Sequence, residues 1–228
     1  MGRGQFLTFE GIDGSGKSTH LRLAAQALEK MGYAVVRTKE PGGTRLGEAV
    51  REVLLDPRGP LPDGTIELLL LFAARRQHLR ELIQPALNRG AVVLCDRFTD
   101  STYAYQGAGR GVSLEAIAAV DQLATGSFRP DHTVLLDLPA PVAFERVQRT
   151  RVGSGSGSLD RIDREALDFY ERVRAAFLAR AQSEPERFTI VNAAGNLEDT
   201  QAQVLQALTS FLTRGSHPPL ADASLLRP

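Results

Sequence analysis

A single cysteine, Cys95, stands in the whole chain, so no internal disulfide can form and a reducing compartment is the expected setting. Charge of one sign is missing too. The 27 Lys and Arg residues balance 27 Asp and Glu, whereas a general nucleic-acid binder needs a basic surface, so no nucleic-acid partner is expected. A small anionic ligand needs only a local positive cleft, and the balance leaves that class open. Long apolar runs are lacking. The longest, Leu68 to Ala74, falls far short of the roughly 20 residues that span a bilayer, so no membrane partner is expected. The four histidines, His20, His78, His132 and His217, are scattered and show no metal-ligand spacing. No internal repeat is present. A glycine-rich motif begins within a few residues of the N-terminus, so no signal peptide is expected, and the protein reads as cytoplasmic.

What is present suits one large α/β domain, expected over residues 1–214. The chain has 228 residues and is 43% apolar, enough to bury a substantial core. Gln5–Glu10, a short apolar run that ends in a glycine-rich stretch, reads as a buried parallel strand, and Tyr33–Thr38, Ala91–Cys95, Thr133–Leu138 and Phe188–Val191 read as four further strands. Helical spacing fills the intervals at His20–Lys30, Leu46–Leu55, Thr65–Asn88, Leu114–Leu123, Pro141–Arg149, Asp163–Ala181 and Leu197–Leu212. Alternating strands and helices predict a parallel sheet covered on both faces. Gly153–Ser158, a Gly-Ser alternation, reads as a flexible linker, and Gly215–Pro228 as a loosely held tail.

The strongest local signal is Gly11-Ile12-Asp13-Gly14-Ser15-Gly16-Lys17-Ser18-Thr19, which follows the first strand and opens the first helix. This is the phosphate-binding P-loop pattern. Its glycines let successive backbone N–H groups face phosphate oxygens, and the helix N-terminus adds partial positive charge. Lys17 is the cation expected at the β- and γ-phosphates of ATP, and the Ser18 hydroxyl is expected on Mg²⁺. The motif alone does not separate a kinase from a GTPase, an ATPase or a binding module. Asp96-Arg97-Phe98 closes the third strand, where ligands bind in open α/β sheets. Asp96 is a candidate second Mg²⁺ group, and Arg97 a candidate grip on a second phosphate.

Six segments carry a resemblance to the thymidylate kinase family. They are Phe9 to Thr19, Glu40-Pro41-Gly42-Gly43-Thr44, Ala73-Ala74-Arg75-Arg76-Gln77-His78, Asp96-Arg97-Phe98 with Ser101, Tyr105-Gln106-Gly107 with Gly109-Arg110-Gly111, and Leu159-Asp160-Arg161-Ile162. The resemblance implies a P-loop nucleoside monophosphate kinase with a five-stranded parallel sheet, forming a homodimer and moving the γ-phosphoryl of ATP onto dTMP. It implies that Asp13 meets the acceptor's 3′-hydroxyl and that Arg51 and Arg97 clamp its phosphate. Arg75 would reach the thymine carbonyl, Thr102 the base edge and Tyr105 the 2′ position, with Gln106 and Ser101 in the same pocket. The family's stacking phenylalanine would fall at Leu71, one residue before Phe72, so either side chain is a candidate for the thymine face.

Phosphoryl transfer needs cations around the equatorial oxygens. Gly14 and Ser15 supply none from the P-loop. The bacterial pattern instead implies lid arginines, here Arg149, Arg151 and Arg161 in a lid at about 149–161, with Arg146 on the preceding helix. Lys39 stands where the family usually has arginine, which keeps the charge and loses the bidentate fork. Another small-molecule kinase, acting on a deoxynucleoside or a different monophosphate, is the alternative. Arg51 and Arg97 together favour a phosphorylated acceptor. No guanine-reading Asn-Lys-x-Asp run supports a GTP switch. The intact Lys17, Ser18, Asp96 and Arg97 argue against a catalytically dead nucleotide-binding module.

Overall fold

The strand at the centre of the molecule, β1 (Phe6–Glu10), is buried at every position. Its side chains alternate between two cores, as a strand with both faces covered must. Leu7 and Phe9 pack with Leu21, Ala24 and Leu28 of α1 (Lys17–Lys30). Phe6, on the opposite face, packs with Leu79, Ile83, Val93, Cys95 and Phe98. Each fully buried side chain of this size contributes about 1.5–3 kcal/mol relative to exposure. In this computed structural model, residues 3–56, 58, 63–126, 128–154 and 167–214 are described, 150–154 by backbone alone.

Four further strands complete an all-parallel sheet in the order β2-β3-β1-β4-β5, with β2 at Val35–Lys39, β3 at Val92–Asp96, β4 at His132–Asp137 and β5 at Phe188–Asn192. Phe9 of β1 lies opposite Asp96 of β3 and Val134 of β4. The strand order reverses at β1, so its carboxyl end opens into a crevice between the crossover connections. The phosphate-binding loop leaves from that end, and Asp96-Arg97 leaves from the same edge of β3. All five strands fall within two residues of their expected bounds.

The helices carry their own start signals. Thr44 caps α2 (Arg45–Leu55) by accepting from Gly47 N. Asp63 caps α3 (Gly64–His78) by accepting from Thr65 N and Ile66 N. Ser113 caps α6 (Leu114–Thr125) through Ala116 N. Such caps are worth about 1 kcal/mol each. The long helix expected over Thr65–Asn88 is present, but a π-helical turn at Leu79–Ile83 separates α3 from α4 (Gln84–Asn88). Pro85 has no N–H for an ordinary i→i−4 bond, and the wider turn absorbs the mismatch. The apolar run Leu68 to Leu71 is split by the helix that carries it. Leu68 is in the core, but Leu69 is 55% exposed, because helical periodicity turns it outward.

One element departs wholly from expectation. Thr99–Thr102 forms a short helix, α5, running into a π-helical turn at Tyr103–Gly109. α7 (Ala140–Ser154), α8 (Leu167–Ser183) and α9 (Leu197–Arg214) are the remaining helices among the described residues. Arg161, residues 155–158 of the Gly-Ser alternation and the expected tail 215–228 lie outside the described residues. None of the helices among the described residues is long and apolar enough to cross a membrane.

Candidate active site

The loop after β1 turns sharply at Gly11, whose φ is 137°. A Cβ there would lie 2.5 Å from the Leu136 carbonyl oxygen, so only glycine permits this approach. Lys17 folds back over the loop, its Nζ donating to the Ile12 carbonyl at 2.9 Å. Burial pulls the Lys17 amine down to about 8, helped by Arg97 and opposed by Asp13, Asp96 and Glu10. Ser18 Oγ donates to Asp96 Oδ2 at 2.5 Å, so the two expected Mg²⁺ groups are adjacent. Residues 13–19 line a wide cleft with Asp96, Arg146 and Arg149. Arg149 reaches it from α7, where its Nε donates to the Glu145 carbonyl at 3.5 Å. Arg151 lies further along α7.

Arg97 organises the ground between this cleft and a second, narrower one. It adopts a left-handed backbone at φ 71°, a conformation costing roughly 1–3 kcal/mol for a side chain of this kind. The conformation turns its guanidinium back across β1. One terminal nitrogen donates to Ser101 Oγ at 3.0 Å and to the Gly11 carbonyl at 3.3 Å. The other donates to Asp13 Oδ1 at 2.5 Å and to the Tyr105 hydroxyl at 3.0 Å. Tyr105 donates in turn to Asp13 Oδ2 at 3.0 Å, and its ring lies 4.7 Å beneath the Arg97 guanidinium. Burial works against the charged form of Asp13, but Arg97, Lys17 and Tyr105 outweigh it, and its carboxyl titrates below the ordinary value. Burial pushes the Tyr105 hydroxyl well up, so it stays a neutral donor.

The second cleft is lined by Arg51, Leu71, Arg75, Ser101, Thr102, Tyr105 and Gln106, among others. Arg51 donates to the Pro41 carbonyl at 3.4 Å. Arg75 is 2% exposed, and its Nε donates to Glu40 Oε2 at 2.6 Å. Both its terminal nitrogens donate to Thr102 Oγ1 at 3.1 Å. Gln106 donates to Glu67 Oε2 at 2.8 Å. Leu71, not Phe72, belongs to the cleft wall. Phe72 is 1% exposed and packs with Leu68 and Ile117, with the Arg75 guanidinium 4.6 Å from its ring. The helical turn that sends Leu71 toward the cleft sends its neighbour inward, which removes Phe72 from the candidate contacts. Asp13, Glu40, Arg51 and Arg97 line both clefts, so the two share one wall.

Two acids, Glu10 and Glu40, hold the residues of this site in place. Glu10 is fully buried and accepts from Phe98 N at 2.7 Å and Ser101 Oγ at 2.6 Å, pinning the turn that Arg97 begins. Its signal was a carboxylate closing an otherwise apolar strand. Glu40 joins two of the motifs quoted above. Asp137, at the end of β4, accepts both arms of Arg174 from α8, at 2.7 and 2.8 Å.

A parallel sheet of this order, with a phosphate-binding loop set against a second arginine-lined cleft, is the architecture of a P-loop nucleoside monophosphate kinase. A family model described as Thymidylate kinase matches residues 9–204. A thymidylate kinase of Pseudomonas fluorescens is 52% identical over 209 residues, covering 92% of this chain and 95% of that one. One from Pseudomonas putida is 50% identical over 209 residues, covering 92% of this chain and 98% of its own. The crystal structure of thymidylate kinase from Ehrlichia chaffeensis superposes with a TM-score of 0.71 at 34% identity, covering 90% of this chain and 99% of that one. The chain belongs to the thymidylate kinase family.

Proposed function

We propose that the two clefts hold ATP and dTMP end to end, and that the γ-phosphoryl crosses the shared wall to give ADP and dTDP. The observation that carries this reading is the wall itself. Asp13, Arg51 and Arg97 face both clefts, so cations border the site of transfer from the donor and the acceptor side. Loop amides, Lys17 and Thr19 hold the donor phosphates. Arg51 and Arg97 grip the acceptor phosphate, whose oxygen is already a competent nucleophile, so positioning and electrostatics carry the catalysis. Asp13 takes the sugar hydroxyl, Tyr105 crowds the 2′ position, Arg75 and Thr102 read the base, and Leu71 packs on its face. Ser101 and Gln106 hold their neighbours in register.

Mg²⁺ fits this site. Ser18 and Asp96 present hard oxygen donors side by side. No group of three or more His, Cys, Asp or Glu among the described residues is placed to hold a metal. Mg²⁺ needs none, because it takes most of its ligands from phosphates and water. Bound there with ATP, it neutralises charge on the transferring group. Arg149 on α7 supplies further charge at the donor phosphates, and the same role falls by family resemblance to Arg151 and to Arg161, the latter outside the described residues.

A second copy of this chain is the proposed partner. α3 packs between α2 and α6 and exposes Ile66, Leu69 and Ala73 along one helical face. Val53 of α2 and Leu123 of α6 are exposed beside it, 57% and 84%. A cytoplasmic setting fits the lone buried thiol, Cys95.

A coupled assay with dTMP, dUMP, dAMP and thymidine tests the central reading. The expected order places dTMP first and thymidine at background, with Arg97→Ala lowering kcat/KM for dTMP about 100-fold. Preference for the purine monophosphate, or equal turnover of thymidine, would refute it.

A further inference from the structure

We infer that Glu40 and His78 are positioning residues that set the base preference of the acceptor cleft by holding the Arg75 guanidinium end-on. This rests on the reading above that Arg75 faces the base. Arginine and carboxylate commonly pair through two parallel bonds. Here they do not. Glu40 divides its oxygens, Oε2 accepting from Arg75 Nε at 2.6 Å and Oε1 bonding His78 Nδ1 at 2.9 Å. His78 Nε2 is held on its far side by Thr38 Oγ1 at 2.6 Å. Glu40 thus links two motifs, Glu40-Pro41-Gly42-Gly43-Thr44 and Ala73 to His78, into one joint between the end of β2 and α3.

The joint is built without slack. Glu40 is 4% exposed, Arg75 2% and His78 fully buried. Phe72 and Phe98 lie 4.6 and 5.1 Å from the guanidinium carbon. At Gly43 a Cβ would lie 2.5 Å from His78 Nε2, so the glycine makes room for the imidazole. With Oε1 engaged by His78, Glu40 takes only the Nε–H of Arg75. Each terminal nitrogen gives one N–H to Thr102 and keeps a second. An arginine only donates, so a guanidinium fixed this way favours a pyrimidine with a ring carbonyl and rejects one with an amino group in its place. Without His78, Oε1 is open to a second guanidinium N–H, and the fork can swing from Thr102 toward Glu40.

The test compares kcat/KM for dTMP and dCMP in Glu40→Gln, His78→Leu, His78→Asn and Thr38→Val, with thermal melting and the KM for ATP alongside. The expected result is a loss of at least about tenfold in dTMP-over-dCMP preference for Glu40→Gln and His78→Leu, with the ATP KM within about twofold of wild type. His78→Asn, whose amide reproduces the donor to Glu40, restores most of the preference. Thr38→Val, which leaves both Glu40 contacts intact, keeps it to within about threefold. Unchanged preference in folded His78→Leu, or an asparagine no better than leucine, overturns the inference. So does a Thr38→Val variant that falls as far as His78→Leu, or a loss shared equally by ATP. Should the Glu40 and His78 variants not fold, the joint is structural and the inference also falls. Arg75→Ala separates the two readings. If it leaves the preference intact, Arg75 does not read the base. If it abolishes preference while the Glu40 and His78 variants retain it, only the positioning role is lost.

Discussion

At Glu10 charge and burial pull in opposite directions. Burial raises its carboxyl to about 7, Asp100 adds to the rise, and Ser101, Arg97 and Phe98 N oppose it. Asp100 moves the other way, because Arg187 and Arg180 outweigh its own burial. An acid whose folded value exceeds its unfolded value holds a proton that the unfolded chain has released. Glu10 therefore withdraws stability as pH rises from about 4.5 to about 7, by an amount on the order of 3 kcal/mol. Glu10→Gln keeps the shape and removes the titration. Denaturant unfolding at pH 5 and pH 8 should show the variant gaining on wild type at the higher pH. An equal pH dependence in both proteins would show that Glu10 does not titrate in this window.

The helical path from α5 through the π-helical turn places Ser101, Thr102, Tyr105 and Gln106 on the cleft side together. It is held there from outside by α8. Arg172 donates to the Ala108 and Gly109 carbonyls, both at 3.3 Å, and the Phe169 ring covers Gly109. A Cβ at Gly109 would meet that ring at 2.6 Å. Gly109→Val should therefore displace α8 and cost about 1–3 kcal/mol through overpacking. The measurable outcome is a lower melting temperature with a raised KM for dTMP and a nearly unchanged KM for ATP, because the phosphate-binding loop lies elsewhere. An altered ATP KM alone would contradict the assignment of this element to the acceptor. Sequence patterning passed over α5 because Thr99-Asp100-Ser101-Thr102 has no apolar period. Its stability comes from Glu10, which holds Phe98 N and Ser101, and from Arg180 and Arg187 on Asp100.

For the molecule as a whole, the two clefts meet where β1 and β3 end, and the exposed stripe on α3 is a surface of its own. Leu69→Glu places a charge in the middle of that stripe. If two copies associate there, sedimentation should shift from a dimer to a 24.7 kDa monomer, with melting of the monomer changed by only about 0.5 kcal/mol. A dimer that survives the substitution would place the interface on another surface.

The P-loop, the five strands and the arginines at the sheet edge were legible in the chain because each rests on local chemistry. Glycines curl backbone toward phosphate, short apolar runs bounded by turn residues form strands, and a charged residue directly after such a run must sit at its carboxyl end. Only the folded chain decided which of Leu71 and Phe72 meets the cleft, since adjacent helical positions differ by a rotation that composition does not reveal. Nor could spacing show that Glu40 lies between Arg75 and His78, or that Glu10 accepts from Phe98 N and Ser101 Oγ. Those partners are 35 to 91 residues apart, and what joins them is the burial of charge, which is settled by three-dimensional packing.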